Sequence, residues 1–331
     1  MSATNLTFFC ELRAPALVQL FSDRDTVAAL VRQHASVSMG ILDLDDTRAE
    51  VTRSLNKAGV PLIAWQLLPK SQGYWFNAHN WANASARYRQ FRQWSKEHDL
   101  HWSRIGLDIE SDIREMEGLR RNPLRLAPSL LWRALDTASW ARAQQAYAGL
   151  IAEIHADGYP VDAYHLFVMS DERRAGSTLV QRLAGLVDIP ADREVLMLYS
   201  SLVRPHGSGL LWSYAQHTQS VAVGVTGGGV ELTSRIPPLT WEELARDLRL
   251  ARRWTDDIHI FSLEGCVEHD YLERIGELDL TSAGADPPAS AGPINWVRKL
   301  LQAALFAEAH PWLLLGLMWT LRCTMRRKKP A

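Results

Sequence analysis

Residues 103–111 read SRIGLDIES. Ile105, Leu107 and Ile109 alternate with Gly106, Asp108 and Glu110, a period of two that predicts an extended strand with both carboxylates on one face. At ~3.3 Å rise per residue the two acids stand ~6.6 Å apart along the backbone, near enough to act on one substrate. The segment is a strand ending in paired acids, and what it means depends on the units around it.

Upstream, residues 6–13 (LTFFCELR) predict a first strand with Glu11 near its end. Pro15 opens a helical pattern that runs to His34, with Leu17, Leu20, Phe21, Val27, Leu30 and Val31 on the apolar face. A second strand at 36–42, a helix at 47–58 ended by Gly59, and a third strand at 60–68 (VPLIAWQLL) follow. The aperiodic loop PKSQGYWFNAHN at 69–80 and a helix at 82–98 lead into the acidic strand, the fourth. Downstream, about 50 residues separate Glu110 from the next strand at 162–169, more than the dozen a crossover needs. Residues 111–133 are therefore read as an insertion and 134–156 as the crossover helix. Helices at 176–186, 209–218, 241–255 and 268–278 alternate with strands at 193–202, 220–228 and 258–265, the last ending in Glu264. Eight β/α units within residues 1–280 predict a (β/α)8 TIM barrel. No GxGxxG or P-loop follows any strand, which sets aside an open, doubly wound nucleotide-binding sheet.

The 47% hydrophobic and 22% charged composition is that of an ordered globular chain. A formal net charge of −1 gives no electrostatic case for nucleic acid. Cys10, Cys266 and Cys323 are too scattered for a disulfide framework or a zinc site and fit a reducing compartment. The first fifteen residues lack the pattern of a secretory signal. Residues 281–293 (TSAGADPPASAGP) read as a linker. Residues 294–331 form a tail whose first part is amphipathic, with Asn295, Arg298, Lys299 and Gln302 opposite Trp296, Val297, Leu300, Leu301, Ala304 and Leu305. It continues through WLLLGLMWTL into Arg322, Arg326, Arg327, Lys328 and Lys329. Such a tail predicts either membrane association, as an interfacial helix or a shallow hairpin with the barrel on the cytoplasmic side, or packing against protein.

Functional groups of such barrels gather at the C-terminal ends of the strands. That rule selects Glu11, Asp108, Glu110 and Glu264 as candidate catalytic acids, and Gln66, Lys70, His165 and Tyr199 as candidate substrate contacts. Two carboxylates held close together push one pKa up, which keeps a general acid protonated near neutral pH. In the loop at 69–80, Tyr74 and Trp75 stand among Asn77 and other amides, a mixture suited to sugar: flat rings for the apolar faces, amides for the hydroxyls. The insertion, with Arg114, Arg120, Arg121 and Arg125 among leucines, reads as a lid or a basic, apolar surface beside Glu110.

GLDIE, residues 106–110, resembles part of the fourth-strand signature of chitinase-like TIM-barrel glycoside hydrolases, in which alternating acids end in the catalytic Glu. In one register Asp108 and Glu110 match the last two acids and Gly106 stands where an aspartate is expected. In the other, the position of the catalytic Glu falls on Asp112. The resemblance implies a barrel of the glycosidase type. The expected activity is carboxylate acid/base cleavage of a glycan or glycolipid near a membrane, with no cofactor. Two alternatives use the same residues: a non-catalytic tethered barrel that binds a saccharide or protein, and an isomerase-like barrel whose acids and His165 hold Mg or Mn.

Overall fold

The computed structural model describes residues 4–121, 130–229, 236–280 and 287–313. Eight parallel strands, β1 (Asn5–Cys10), β2 (Ser36–Ile41), β3 (Leu62–Gln66), β4 (Arg104–Ile109), β5 (Val161–Leu166), β6 (Arg193–Met197), β7 (Ser220–Gly224) and β8 (Asp257–Phe261), form a closed barrel in chain order. Closure is the parallel pairing of β1 with β8, which sets Phe9 beside Phe261. The (β/α)8 barrel expected from the period of the sequence is therefore the observed fold.

The helices depart from expectation where a local group redirects the backbone. The single helix expected at 15–34 is two, α1 (Ala14–Ser22) and α2 (Arg24–Arg32). Asp23 between them is extended, and its carboxylate accepts the Asp25 and Thr26 backbone N–H groups, an N-cap that starts a new helix. After α3 (Asp46–Ala58) and α4 (Trp81–Glu97), the 111–133 insertion opens with α5 (Ile113–Arg121). Its central part, including Leu124, Arg125 and Leu126, lies outside the described residues. The crossover helix α6 (Thr137–Ala156) starts where the Asp136 carboxylate caps Ser139. Strand β5 stops at Leu166, because Val168 and Met169 already belong to α7 (Val168–Ala175); a short apolar run reads alike in a strand and in a buried helix turn. Helices α8 (Leu179–Ala184), α9 (Gly207–Ala215) and α10 (Trp241–Arg252) follow. Glu264 lies in the first turn of α11 (Leu263–Glu268), not at a strand end, since the Ser262 hydroxyl caps Gly265 and turns the chain into a helix. Helix α12 (Tyr271–Glu277) completes the ring.

The barrel interior is filled in layers. At the N-terminal end the buried Asp162 carboxylate lies between Arg104 (2.5 Å) and Arg193 (2.9 Å), and Arg193 reaches on to Asp257 (2.8 Å). Above this, Phe9, Trp65 and Tyr164 meet edge to face with centroids 4.9–6.3 Å apart, and the Tyr164 hydroxyl is 2.7 Å from that of Ser38. Gly106 makes this layer possible: a Cβ there would sit 2.5 Å from the Tyr164 hydroxyl oxygen. The aromatic plug leaves the C-terminal mouth as the place where polar side chains collect.

The tail helix α13 (Ala291–Ala309) packs on α7 and α9. Among the described residues no helix is long and apolar enough to cross a membrane. Residues 314–331 of the tail and 281–286 of the expected linker lie outside the described residues, and the last three residues of that linker, 291–293, already belong to α13.

Candidate active site

Strand register decides which side chains meet. In the β3–β4 pairing Trp65 stands beside Gly106 and Gln66 beside Leu107; in β4–β5, Tyr164 stands beside Asp108 and His165 beside Ile109. Neighbours in a parallel sheet share a face and alternate residues change face. Asp108 and Glu110 thus share the inner face with Trp65 and Tyr164, while Gln66 and His165 lie on the outer face with Leu107 and Ile109. Their contacts agree. The Gln66 amide is buried and bonds only weakly to Ala64 O at 3.4 Å. The His165 ring pairs with Glu194 (2.8 Å) and lies 3.3 Å from Arg173, beneath α7. Neither expected substrate contact is at the mouth.

Four carboxylates are. The Asp108 carboxylate is buried; its Oδ2 accepts from the Trp65 indole N–H at 3.0 Å, and its Oδ1 receives no donor among the described residues. Glu110 follows two residues on along the same face, close enough for its charge to act on the Asp108 carboxyl. Burial pushes both above the usual carboxylate range, and Asp108 is raised further by the charges of Glu110 and Glu11. Glu11, one residue past β1, is pushed up to about 8 by burial, against the opposing bond from the Tyr74 hydroxyl and with Glu264 and Glu110 adding to the rise. Glu264 is pushed up to about 7 by burial; its Oε1 accepts the Glu11 backbone N–H at 3.2 Å, and its Oε2 has no partner among the described residues. Closure of the barrel between β8 and β1 brings these last two together. Among the described residues no Arg or Lys side chain bonds to any of the four. The cluster therefore stores protons near neutral pH, the condition general acid catalysis requires.

The loop at 69–80 folds over this cluster. Phe76 bridges to Ile109, receiving the Glu110 N–H at its carbonyl and donating its own N–H to Asp108 O. The Tyr74 hydroxyl donates to Glu11 Oε1, and the Trp75 ring meets the Tyr74 ring edge to face at 5.4 Å. Tyr74 is 3% exposed, Trp75 6% and Phe76 0%, so these rings line a closed rim and do not present open faces. Asn77 is buried, its amide held at His79 N and Trp75 O. Lys70 stays exposed in a 3-10 turn at the start of the loop. Tyr199 lies two residues past β6 on the inner face, its ring 5.8 Å from that of Phe261; burial, then the charges of Asp108, Glu110 and Glu11, raise its hydroxyl. Asp112 stands apart. Its carboxylate accepts the backbone N–H and the guanidinium of Arg114, which hold it below the usual range despite burial, and it anchors the start of α5 to the loop through Ile113 N–H to Gly73 O.

Two members of the site escaped sequence reasoning. Trp65 donates to Asp108, and Phe261 packs under Tyr199. The strand period itself carried the signal: residues two apart share a face, and the parity that turns Asp108 inward selects Trp65 over Gln66. Among the described residues no three His, Cys, Asp or Glu side chains are placed to share a metal ion. The Mg or Mn alternative drew its nitrogen ligand from His165, which faces the helices.

Fold and site together define a (β/α)8 barrel whose C-terminal mouth carries a cluster of four acids, Asp108 buried and Glu11, Glu110 and Glu264 half-buried. No family model and no curated protein matches the sequence. Among solved structures it is similar to a GH18 chitinase from Pseudoalteromonas aurantia, with a TM-score of 0.50 and 8% identity over 83% of this chain and 100% of the other. It is also similar to the PgaB (BpsB) glycoside hydrolase domain from Bordetella bronchiseptica (TM-score 0.47, 10% identity, 84% and 99% covered). A D-psicose 3-epimerase with D-tagatose from Clostridium cellulolyticum H10 follows at 0.40 and 12% identity, with 91% and 99% covered. At these identities the likeness is one of fold.

Proposed function

We propose that this protein hydrolyses a glycosidic bond by carboxylate acid/base catalysis at the C-terminal mouth of the barrel. The observation that carries the reading is the grouping of four carboxylates at the mouth, in which Asp108 is buried against the Trp65 indole and Glu264 accepts the Glu11 backbone N–H, with no Arg or Lys side chain bonded to any of them among the described residues. Glu110 donates the proton to the leaving oxygen, and Asp108 positions it. Working carboxylates of glycosidases stand ~5–5.5 Å apart when retaining and ~6.5–9.5 Å apart when inverting. In this reading Asp108 and Glu110, neighbours on one strand face, serve as one acid, and the opposing carboxylate is Glu11 or Glu264. Substrate enters when the Tyr74–Glu11 contact opens and lifts the loop from the acids.

The test is Glu110→Gln, which keeps the shape and removes the proton chemistry. Assayed on a panel of aryl glycosides and oligosaccharides, it should lose about 10²–10⁴ in kcat/KM. Equal turnover by the parent and the variant would remove Glu110 from the mechanism. The closed aromatic rim favours a second reading, a barrel that binds a saccharide without cleaving it. On that reading the parent shows no turnover, and both proteins bind the same oligosaccharide alike.

A further inference from the structure

The tail helix α13 is seated with its amphipathy reversed relative to an ordinary surface helix. Its polar stripe, Lys299 excepted, faces the protein. The Arg298 guanidinium, buried, pairs with Asp171 at 2.9 Å and lies over the Tyr214 ring. Gln302 bonds to Asp171 at 2.6 Å, Asn295 accepts from Ser213, and Glu308 accepts from Ser177 at 2.8 Å and pairs with Arg182 at 3.1 Å. These bonds fix the rotation of the helix on α7 and α9, because any other rotation leaves the Asp171 carboxylate buried without its guanidinium.

Most of the large side chains of the apolar stripe are left facing outward, while Leu305 is buried. Trp296 is 64% exposed and Trp312 81%, with Val297, Leu300, Phe306 and Leu313 also exposed. Arg182 also bonds to Ala134 O, which ties to this end of the helix a second exposed group, Leu131, Trp132 and Leu135. Monomeric soluble proteins rarely leave so many large apolar side chains in one stretch without an occupant. Charge identifies that occupant. Residues 291–331 hold seven Lys and Arg against one Glu, leaving 29 Lys and Arg against 36 Asp and Glu in residues 1–290. The basic charge of a slightly acidic chain is thus gathered around its most apolar run. Tryptophan beside lysine and arginine is the composition of a segment that lies in the headgroup layer of a negatively charged bilayer.

We propose that α13 is a platform that docks the barrel on an anionic membrane surface, the outward face of Trp296, Val297, Leu300 and Phe306 entering the headgroup region without crossing it. The inference is independent of the reaction at the mouth. The experiment is flotation of the full chain with vesicles of phosphatidylcholine alone or mixed with phosphatidylserine, with the outward pair Trp296→Asp and Leu300→Asp as the variant. The parent should float with the mixed vesicles, less with phosphatidylcholine and less at high salt. The double variant should bind roughly tenfold more weakly or worse, with the parent's thermal midpoint, because both substituted side chains are half or more exposed. Three results overturn the proposal. The parent stays with the soluble fraction on both vesicles; the variant abolishes a dimer seen by light scattering, which assigns the face to a second copy; or the variant melts markedly lower, which assigns it to this chain's own residues 314–331.

Discussion

At the N-terminal end of the barrel Asp162 lies fully buried between Arg104 and Arg193, and Arg193 continues to Asp257. At the C-terminal end Asp108, Glu110, Glu11 and Glu264 are packed with one another, with Trp65 and with Tyr74, and no cation bonds to them among the described residues. Both ends bury acids, but only one supplies counter-charge. Acids bonded to arginines tie neighbouring strands together; unpaired acids hold protons and lower the stability of the fold at neutral pH. The difference teaches that the mouth is kept for a use other than stability, which is the usual division of labour between the two ends of such barrels.

The sharpest test of this contrast exchanges an acid for its amide at each end. Glu110→Gln at the mouth should remove about 10²–10⁴ of the rate on a cleaved glycoside and leave the melting temperature at pH 8 unchanged or higher. At the other end, Asp162→Asn should cost about 3–5 kcal/mol in urea unfolding, because Arg104 and Arg193 then face each other without their shared carboxylate. If Glu110→Gln destabilised the protein as much as Asp162→Asn, the division between the ends would collapse.

A smaller effect probes the layer between them. Gly106→Ala should destabilise by about 1–3 kcal/mol, since the new Cβ meets Tyr164 at 2.5 Å and the ring must leave its place under Asp108. An aspartate at 106, which the glycosidase signature would have, meets the same obstacle. The missing acid of the motif is thus explained by packing: Tyr164 occupies its space and bonds to Ser38. A Gly106→Ala protein as stable as the parent would show that Tyr164 moves freely and that the middle layer does not support the mouth.

How much of this was legible in the sequence follows from the same layers. The period of two in β4 and the eight-fold recurrence of strand and helix carried the fold, because both depend on local side-chain alternation. Glu11, Asp108, Glu110 and Tyr199 could be placed at the mouth by strand position alone. Gln66 and His165 could not, since polar character does not reveal which face of a strand is turned inward; only pairing with Leu107 and Ile109 does. Trp65 was hidden for the converse reason: an indole in an apolar run reads as core until its N–H finds Asp108. The closed rim made by Tyr74, Trp75 and Phe76 depends on non-local contacts with Glu11 and Ile109. The reversed seat of α13 likewise rests on Asp171, more than a hundred residues away.

The smallest predicted effect is a slope. Glu11 and Glu264 titrate near 4.5 when exposed in the unfolded chain and at about 8 and about 7 in the fold. Between these limits the folded state binds more protons than the unfolded state, so stability is greatest below pH ~4.5 as far as these groups are concerned and declines as pH rises through 7 to 8. The expected loss from this pair is about 1–2 kcal/mol, since both side chains retain some contact with solvent and titrate against the same neighbours. Chemical unfolding of the parent at pH 5.5 and pH 8.5 measures the slope, and the Glu11→Gln, Glu264→Gln double variant should flatten it by raising stability at the higher pH alone. A slope that survived the double variant would have to originate at Asp108 and Glu110, and one that rose with pH would contradict an unpaired cluster at the mouth.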